Sequence, residues 1–189
     1  MKLCTPYPNS VEMNGRTWRL DLSLHRVLEA IDAQEREEMT AADRAQLQCA
    51  WLLDPAEELP EDPTLCARIV SAAFELFPKP EQAQTEKVLD FEQDAALIRS
   101  AFLRLGIDLT AQDIHFFKFL ELLADLPSDT ALMRVVEIRR APIPEINQHN
   151  REQVVKLLEA KQKVALKKTD KERRESFQRQ LTNSPILWR

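Results

Sequence analysis

The scarcity of glycine constrains this chain more than any other feature. Only two glycines occur among 189 residues, against an expected share of about 7%. Because glycine supplies most left-handed and close-approach backbone positions, this scarcity favours helices joined by short turns, which the 11 prolines interrupt. A glycine-rich phosphate loop cannot be built from Gly15 and Gly106, and this excludes most nucleotide-binding architectures.

Length and composition predict a soluble globular protein. A chain of 189 residues can bury roughly 70% of its unfolded surface, and contents of 44% hydrophobic and 30% charged residues are typical of such proteins. The start, MKLCTPYPNS, has no apolar run like that of a signal peptide, and no segment approaches a membrane span. The scattered cysteines, Cys4, Cys49 and Cys66, are expected to be thiols in a reducing compartment. We therefore expect a cytosolic protein without a membrane partner.

The apolar patterning predicts a mainly α-helical fold. We expect a compact bundle of about six or seven helices, forming a single domain over residues 1–168. A small β-hairpin is predicted over residues 10–20, because Asn14-Gly15 supplies the two positive φ values of a type I′ turn. The polar, proline-rich stretch near residues 78–87 is interpreted as a surface loop.

Charge is unevenly distributed along the chain. Residues 151–189 contain 11 basic and 5 acidic side chains, whereas the remainder contains 15 and 26. We predict a basic C-terminal helix or tail, with residues 169–189 as a charged extension. Such a tail fits an acidic partner, self-association or simply a solvated helix. Nucleic-acid binding is disfavoured because basic and acidic residues alternate from 161 to 179.

The stretch from Asp90 to Arg140 carries the clearest helix signals. Asp90 followed by Gln93 is a variant of the capping box, so a helix is predicted to begin at Asp90. Its apolar residues then step by four, three, four and three, and Gly106 stands where a C′ glycine would end it. The next helix is predicted to begin at Thr110.

The sequence HFFKF at residues 115–119 admits two interpretations. Exposed phenylalanines would form a stacking platform for single-stranded nucleic acid. The helix that carries them is, however, apolar around most of its circumference and belongs to an acidic body. We therefore predict that this helix is central and that its phenylalanines are buried.

No group of reactive side chains has a spacing that chemistry requires. The sequence contains no hydrolase nucleophile motif, zinc-binding motif or Cys-x-x-Cys pair. His25, His115 and His149 lie on separate predicted elements, without carboxylates at the spacing of metal ligands. We expect no catalytic residue, no metal and no cofactor.

Asp94 lies close to the Ile98 side of the predicted helix, so we expect it to be partly buried. A buried carboxylate needs a cation, and Arg134, Arg139 and Arg140 are the candidates. We interpret this pairing as structural rather than catalytic.

Five short elements together resemble the bacteriophage gene-product-fifteen family. They are Asp90-Phe91-Glu-Gln-Asp94, a helix ending Gly106-Ile-Asp108-Leu-Thr110, His115-Phe116-Phe117-Lys118-Phe119, Leu126-Pro-x-Asp129-Thr130 and Glu137-Ile-Arg139. In that family the third element usually contains two tryptophans, which Phe116 and Phe117 replace here while keeping a packing role. The similarity covers about residues 10–168.

The resemblance implies a helical protein encoded among the tail genes of long-tailed phages, between the major tail protein and the tape-measure protein. Proteins from that position behave as tail assembly chaperones, which coat the helix-rich tape measure while the tube polymerises around it. It thus implies the tape-measure protein as a partner, the major tail tube protein as a further candidate, self-association, and the host bacterial cytoplasm as the location.

Two alternatives to the chaperone stay open: a structural virion component such as a completion or connector protein, and a nucleic-acid-binding packaging factor. Whichever holds, we expect the working surface at the periphery rather than in the core. The candidate contacts are apolar residues of the last helix and of the C-terminal end: Val154, Leu158, Ile186, Leu187 and Trp188.

Overall fold

The computed structural model describes residues 5–77 and 88–167, and there the chain is mainly helical, as the sequence predicts. A two-stranded antiparallel hairpin precedes seven helices in these ranges. The strands are β1 (Ser10–Met13) and β2 (Arg16–Arg19). The helices are α1 (Leu24–Glu35), α2 (Ala41–Leu52), α3 (Pro63–Glu75), α4 (Ala95–Arg104), α5 (Phe116–Ala124), α6 (Ala131–Arg140) and α7 (Arg151–Val164).

The elements group into two compact units. The first unit comprises Met1–Gln84 and Gly106–Leu126 and contains the hairpin, α1 to α3 and α5. The second unit comprises Thr85–Leu105 and Pro127–Arg189 and contains α4, α6 and α7. That both fold as one domain over residues 1–168 stays a prediction. The predicted surface loop near 78–87 lies outside the described residues.

The hairpin has the turn that Asn14-Gly15 indicates. Asn14 has φ 54° and Gly15 has φ 74°, the two positive values of a type I′ turn. Val11 pairs with Trp18 across the strands, and both side chains are buried. Because β1 packs against α3, the hairpin gains the support that an isolated ribbon lacks.

The three long helices of the first unit pack around small and apolar side chains. Arg26 on α1 donates hydrogen bonds to three carbonyls at the C-terminal end of α2, at 2.8 to 2.9 Å. The buried side-chain amide of Gln48 donates a hydrogen bond to the Ala30 carbonyl at 3.0 Å, so this amide is not buried without a partner. Cys49 and Cys66 are fully buried free thiols, and burial raises the pKa of Cys49.

The predicted start of α5 at Thr110 is wrong; the helix begins at Phe116. The Asp108 carboxylate accepts a hydrogen bond from the Thr110 backbone N–H at 2.9 Å, which stabilises a turn instead of a helix. The helix is capped five residues later, where His115 Nδ1 accepts from the Phe117 backbone N–H at 3.2 Å. Because the Asp108 side chain binds a backbone donor in a turn, the helix begins at Phe116 and not at Thr110.

The predicted start of α4 at Asp90 is also wrong; the helix begins at Ala95. Asp90 accepts from the backbone N–H groups of Glu92 and Gln93, at 3.0 and 2.7 Å, in the manner of a cap. These bonds hold a turn over residues 90–94, and Asp94 becomes the N-cap position of the helix. The C-terminal prediction is confirmed, because the α4 C-cap is followed by Gly106 at φ 77°.

Candidate partner-binding site

Arg139 lies at the centre of the second unit's main polar cluster. Its guanidinium donates to both carboxylate oxygens of Asp94, at 2.6 and 2.9 Å, and to the carbonyls of Val88 and Val164, at 2.9 and 2.7 Å. The Lys161 ammonium donates to the Arg139 carbonyl at 2.6 Å. These five residues form what we call the Arg139 cluster, which connects α6 to the start of α4 and the end of α7.

The cluster confirms that Asp94 is buried and paired with an arginine. Asp94 is 3% exposed, and Arg139 is its partner among the three candidates. A bidentate pair of this kind is strong, directional and costly to break in a buried setting.

A cleft of ≈ 470 Å³ opens beside the Arg139 cluster. Its lining within the described part of the chain contains three cations, several apolar groups and no carboxylate: Val88, Arg139, Arg140, Ala141, Pro142, Ile143 and Lys161. Arg140 is exposed and has no ion-pair partner within the described parts of the chain. This cationic cleft has the chemistry to receive a carboxylate next to an apolar side chain.

The second unit also exposes apolar side chains outside the cleft. On α7, Val155 is 44% and Leu158 is 41% exposed, and their spacing of three places them on one face. Ile146 in the extended segment before α7 is 63% exposed. The predicted contact Val154 is only 1% exposed, so it is a core residue and not an accessible contact. Leu158 stays a candidate.

The first unit presents an acidic loop between α2 and α3, which we define as residues 54–62. This loop contains five carboxylates and no basic residue, and Leu59 within it is 42% exposed. Glu57 anchors the loop to the hairpin by ion pairs to Arg16 at 2.7 Å and to Arg19 at 3.0 Å. Hydrogen bonds from Arg19 and Arg16 lower the pKa of Glu57.

The phenylalanines of HFFKF form part of the first unit's core. Phe116, Phe117 and Phe119 are all buried, and the Phe77 ring lies 5.1 and 5.6 Å from the rings of the first two. His115, at the start of the same helix, stacks on the Tyr7 ring at 4.9 Å. The core interpretation is therefore confirmed, and these rings are not available as a stacking platform for bases.

Asp129, Lys118 and Phe91 are further residues of the family motifs. Asp129 forms an exposed ion pair with Arg104 at 2.8 Å, which lowers the pKa of Asp129. Lys118 is exposed, and Phe91 is half-buried in the turn before α4. The family motifs are divided between the two units. DFEQD and the element with Asp129 belong to the second unit, whereas HFFKF belongs to the first.

The predicted C-terminal contacts Ile186, Leu187 and Trp188 lie outside the described residues. Sequence reasoning missed Val155 and Ile146 as exposed apolar residues. Val155 follows the helix pattern one residue off the buried stripe, and Ile146 lies in a proline-broken segment with no helix to bury it. The exposure of both residues could therefore be predicted from the sequence.

Metal sites and membrane spans are both absent from the described ranges, 5–77 and 88–167. Histidine, cysteine and carboxylate side chains form no group there that is able to hold a metal ion. In the same ranges, every helix is too short or too polar to cross a bilayer.

The fold is that of a small, mainly helical protein with exposed apolar and charged faces. The family model described as Bacteriophage Gp15 protein matches residues 3–166, so the chain belongs to that family. It is a phage protein of the structural or morphogenesis kind. Searches of curated proteins and of solved structures gave no match.

Proposed function

We propose that this protein is a non-enzymatic tail assembly chaperone, which binds the tape-measure protein in the host cytoplasm during assembly of the tail tube. The observation that supports the proposal best is the exposed apolar pair on α7, Val155 and Leu158. Membership of a phage morphogenesis family gives that pair its context.

A helix-rich tape-measure chain exposes amphipathic helices before the tube encloses it. Apolar side chains spaced by three or four on such helices pack against a similar row on a partner helix. Val155 and Leu158 supply such a row, and charged residues flank it, among them the exposed Lys156–Glu152 pair at 2.7 Å. The flanking charges keep this face hydrated while the partner is absent.

The test is co-expression with the tape-measure protein of the same phage, with affinity capture through this protein. We expect the wild type to keep the tape measure in the soluble fraction and to co-purify with it. The variant Val155→Glu/Leu158→Glu should lose the complex, because two carboxylates would be buried without partners. Failure of the wild type to form a complex refutes the proposal.

The matched control is Gln153→Glu/Gln162→Glu, which adds the same two charges at exposed positions of the same helix. This control should capture the tape measure as the wild type does. Equal loss in the control and the test variant would mean that added charge, and not loss of the apolar row, breaks the complex.

Mass spectrometry of purified particles separates the chaperone from a structural tail component. A chaperone leaves before maturation, so its peptides should be missing or present only in traces. Stoichiometric copies in finished particles would contradict the proposal and favour a component retained in the virion.

A further inference from the structure

We propose that the acidic loop of one copy docks into the cationic cleft of a second copy, so that the chain associates with itself head to tail. The loop comprises residues 54–62 of the first unit, and the cleft belongs to the second unit. The proposal does not depend on tape-measure binding, because both surfaces belong to this chain.

Unpaired charges of opposite sign favour this contact. Arg140 projects at the cleft without an ion-pair partner in the described residues. The side chains of Glu58 and Glu61 are exposed in the loop, and within the described ranges neither carboxylate has a cation partner. Bringing these groups together converts three solvated charges into a complementary interface and disfavours the like-charge alternatives.

The apolar groups of the two surfaces match as well. Leu59 lies between the two free carboxylates of the loop and is 42% exposed. The cleft offers Ile143, which is 55% exposed, with Pro142 and Val88 as further apolar lining. A leucine side chain flanked by carboxylates is thus the chemical counterpart of an apolar cleft flanked by cations.

Both surfaces are held in place before they meet. In the loop, Gln46 donates to the Glu61 carbonyl at 3.3 Å, and Asp62 caps α3 by accepting from the Thr64 backbone N–H at 2.9 Å. Glu57 is fixed by its two arginines, and the Arg139 cluster fixes the wall of the cleft. Because the loop backbone and the wall of the cleft are already ordered, little backbone freedom is lost on association.

The contact joins two different surfaces, so a pair of copies still has one free loop, on one copy, and one free cleft, on the other. Such a heterologous contact produces a ring when the rotation between copies closes and an open row of copies when it does not. In a self-complementary two-fold dimer, by contrast, the binding surfaces of both copies would be occupied, and no further copy could add. This difference gives the proposal a sharp experimental signature.

The experiment is sedimentation of the full chain over a wide range of concentrations at low salt, where charged contacts are least screened. Wild type should grow beyond a dimer as concentration rises. Arg140→Glu removes the cleft's free cation, and Glu58→Lys/Glu61→Lys reverses the loop. Each variant should weaken self-association by at least about tenfold, because like charges then face each other.

Mixing the two variants is the decisive step. The cleft variant keeps an intact loop and the loop variant keeps an intact cleft, and the reversed cleft and the reversed loop again carry opposite charges. The mixture should therefore recover the association that each variant alone has lost. A wild type that stays monomeric at every concentration overturns the proposal. So does a mixture that forms no complex, or variants that associate as the wild type does.

Matched controls carry the same charge changes elsewhere. Arg99→Glu reverses an exposed arginine of the second unit, and Glu12→Lys/Asp113→Lys reverses two exposed carboxylates of the first. Both controls should associate like the wild type, and their failure would assign the effect to net charge and overturn the proposal. If a reversed charge prevents folding, Arg140→Gln and Glu58→Gln/Glu61→Gln replace the original variants in the same design.

Discussion

Arg139 and Asp94 form a bidentate ion pair across 45 positions of sequence, with nitrogen–oxygen distances of 2.6 and 2.9 Å. Their side chains are 11% and 3% exposed. The pair connects the last turn of α6 to the cap position of α4, in a setting with little solvent screening. Removal of either partner would leave a charge buried without compensation.

We therefore predict that Arg139→Met destabilises the chain by roughly 3–5 kcal/mol, the usual cost of breaking a buried pair. Asp94→Asn should also destabilise, because the arginine then loses its counter-charge. Urea unfolding followed by circular dichroism gives the free energies. A loss below about 1 kcal/mol in Arg139→Met would show that solvent reaches this pair.

The exposed pair Arg104–Asp129 in the same unit is the natural reference. Its N–O distance is 2.8 Å, but its side chains are 52% and 61% exposed. Arg104→Met should destabilise the chain much less than Arg139→Met, because water screens and replaces the exposed contact. Similar losses at both arginines would mean that burial does not distinguish the two pairs.

A second prediction concerns pH and His115, whose pKa burial lowers from its ordinary value of 6.5. In the window between the folded and unfolded pKa values, the unfolded chain binds more protons, so stability rises with pH. The neutral side chain's stabilisation is fully present above 6.5 and is lost as pH falls through the lower folded-state pKa. Protonation of Nδ1 would also remove the acceptor that caps α5.

His115→Asn tests this directly, because asparagine is a good N-cap and does not titrate. Urea midpoints measured from about pH 7 to about pH 5 should fall less steeply for His115→Asn than for the wild type. The slopes are compared rather than the absolute values, since the variant also loses the stacking on Tyr7. Identical slopes would rule out His115 as the titrating group.

A third prediction uses the glycine that ends α4. Gly106 has φ 77°, and a Cβ built there would meet no atom within 4 Å. Gly106→Ala should therefore cost about 1 kcal/mol through the left-handed backbone alone. Gly106→Asn should cost less, because asparagine tolerates that region better. Thermal unfolding of both variants decides this, and an alanine as stable as the wild type would contradict it.

The sequence was most informative where structure depends on neighbouring residues. Asn14-Gly15 and Gly106 were assigned correctly because positive φ values have few chemical solutions. The start of α4 was misplaced because Asp90 caps a turn with the same hydrogen bonds that would cap a helix. Periodicity alone does not distinguish those two outcomes.

Tertiary packing decided what the sequence left open. Three arginines were candidates for Asp94, and only the packing of α4 against α6 selects Arg139. Val154 and Leu158 are four residues apart on α7, yet one is buried and the other is 41% exposed. Which apolar residues of α7 are covered depends on neighbouring elements, which the pattern does not reveal.

The interleaving of the two units has a consequence for synthesis on the ribosome. The first unit includes Gly106–Leu126, although Thr85–Leu105 of the second unit is made before that segment. Nascent α4 must therefore wait for α6 and α7, and the hairpin with α1 to α3 must wait for α5. The first unit can be completed only after Leu126 is made, and the second only after the C-terminal segment is made, so the two units do not fold one after the other as sequential domains commonly do. A stalled or truncated product ending before Leu126 would expose both unfinished cores at once.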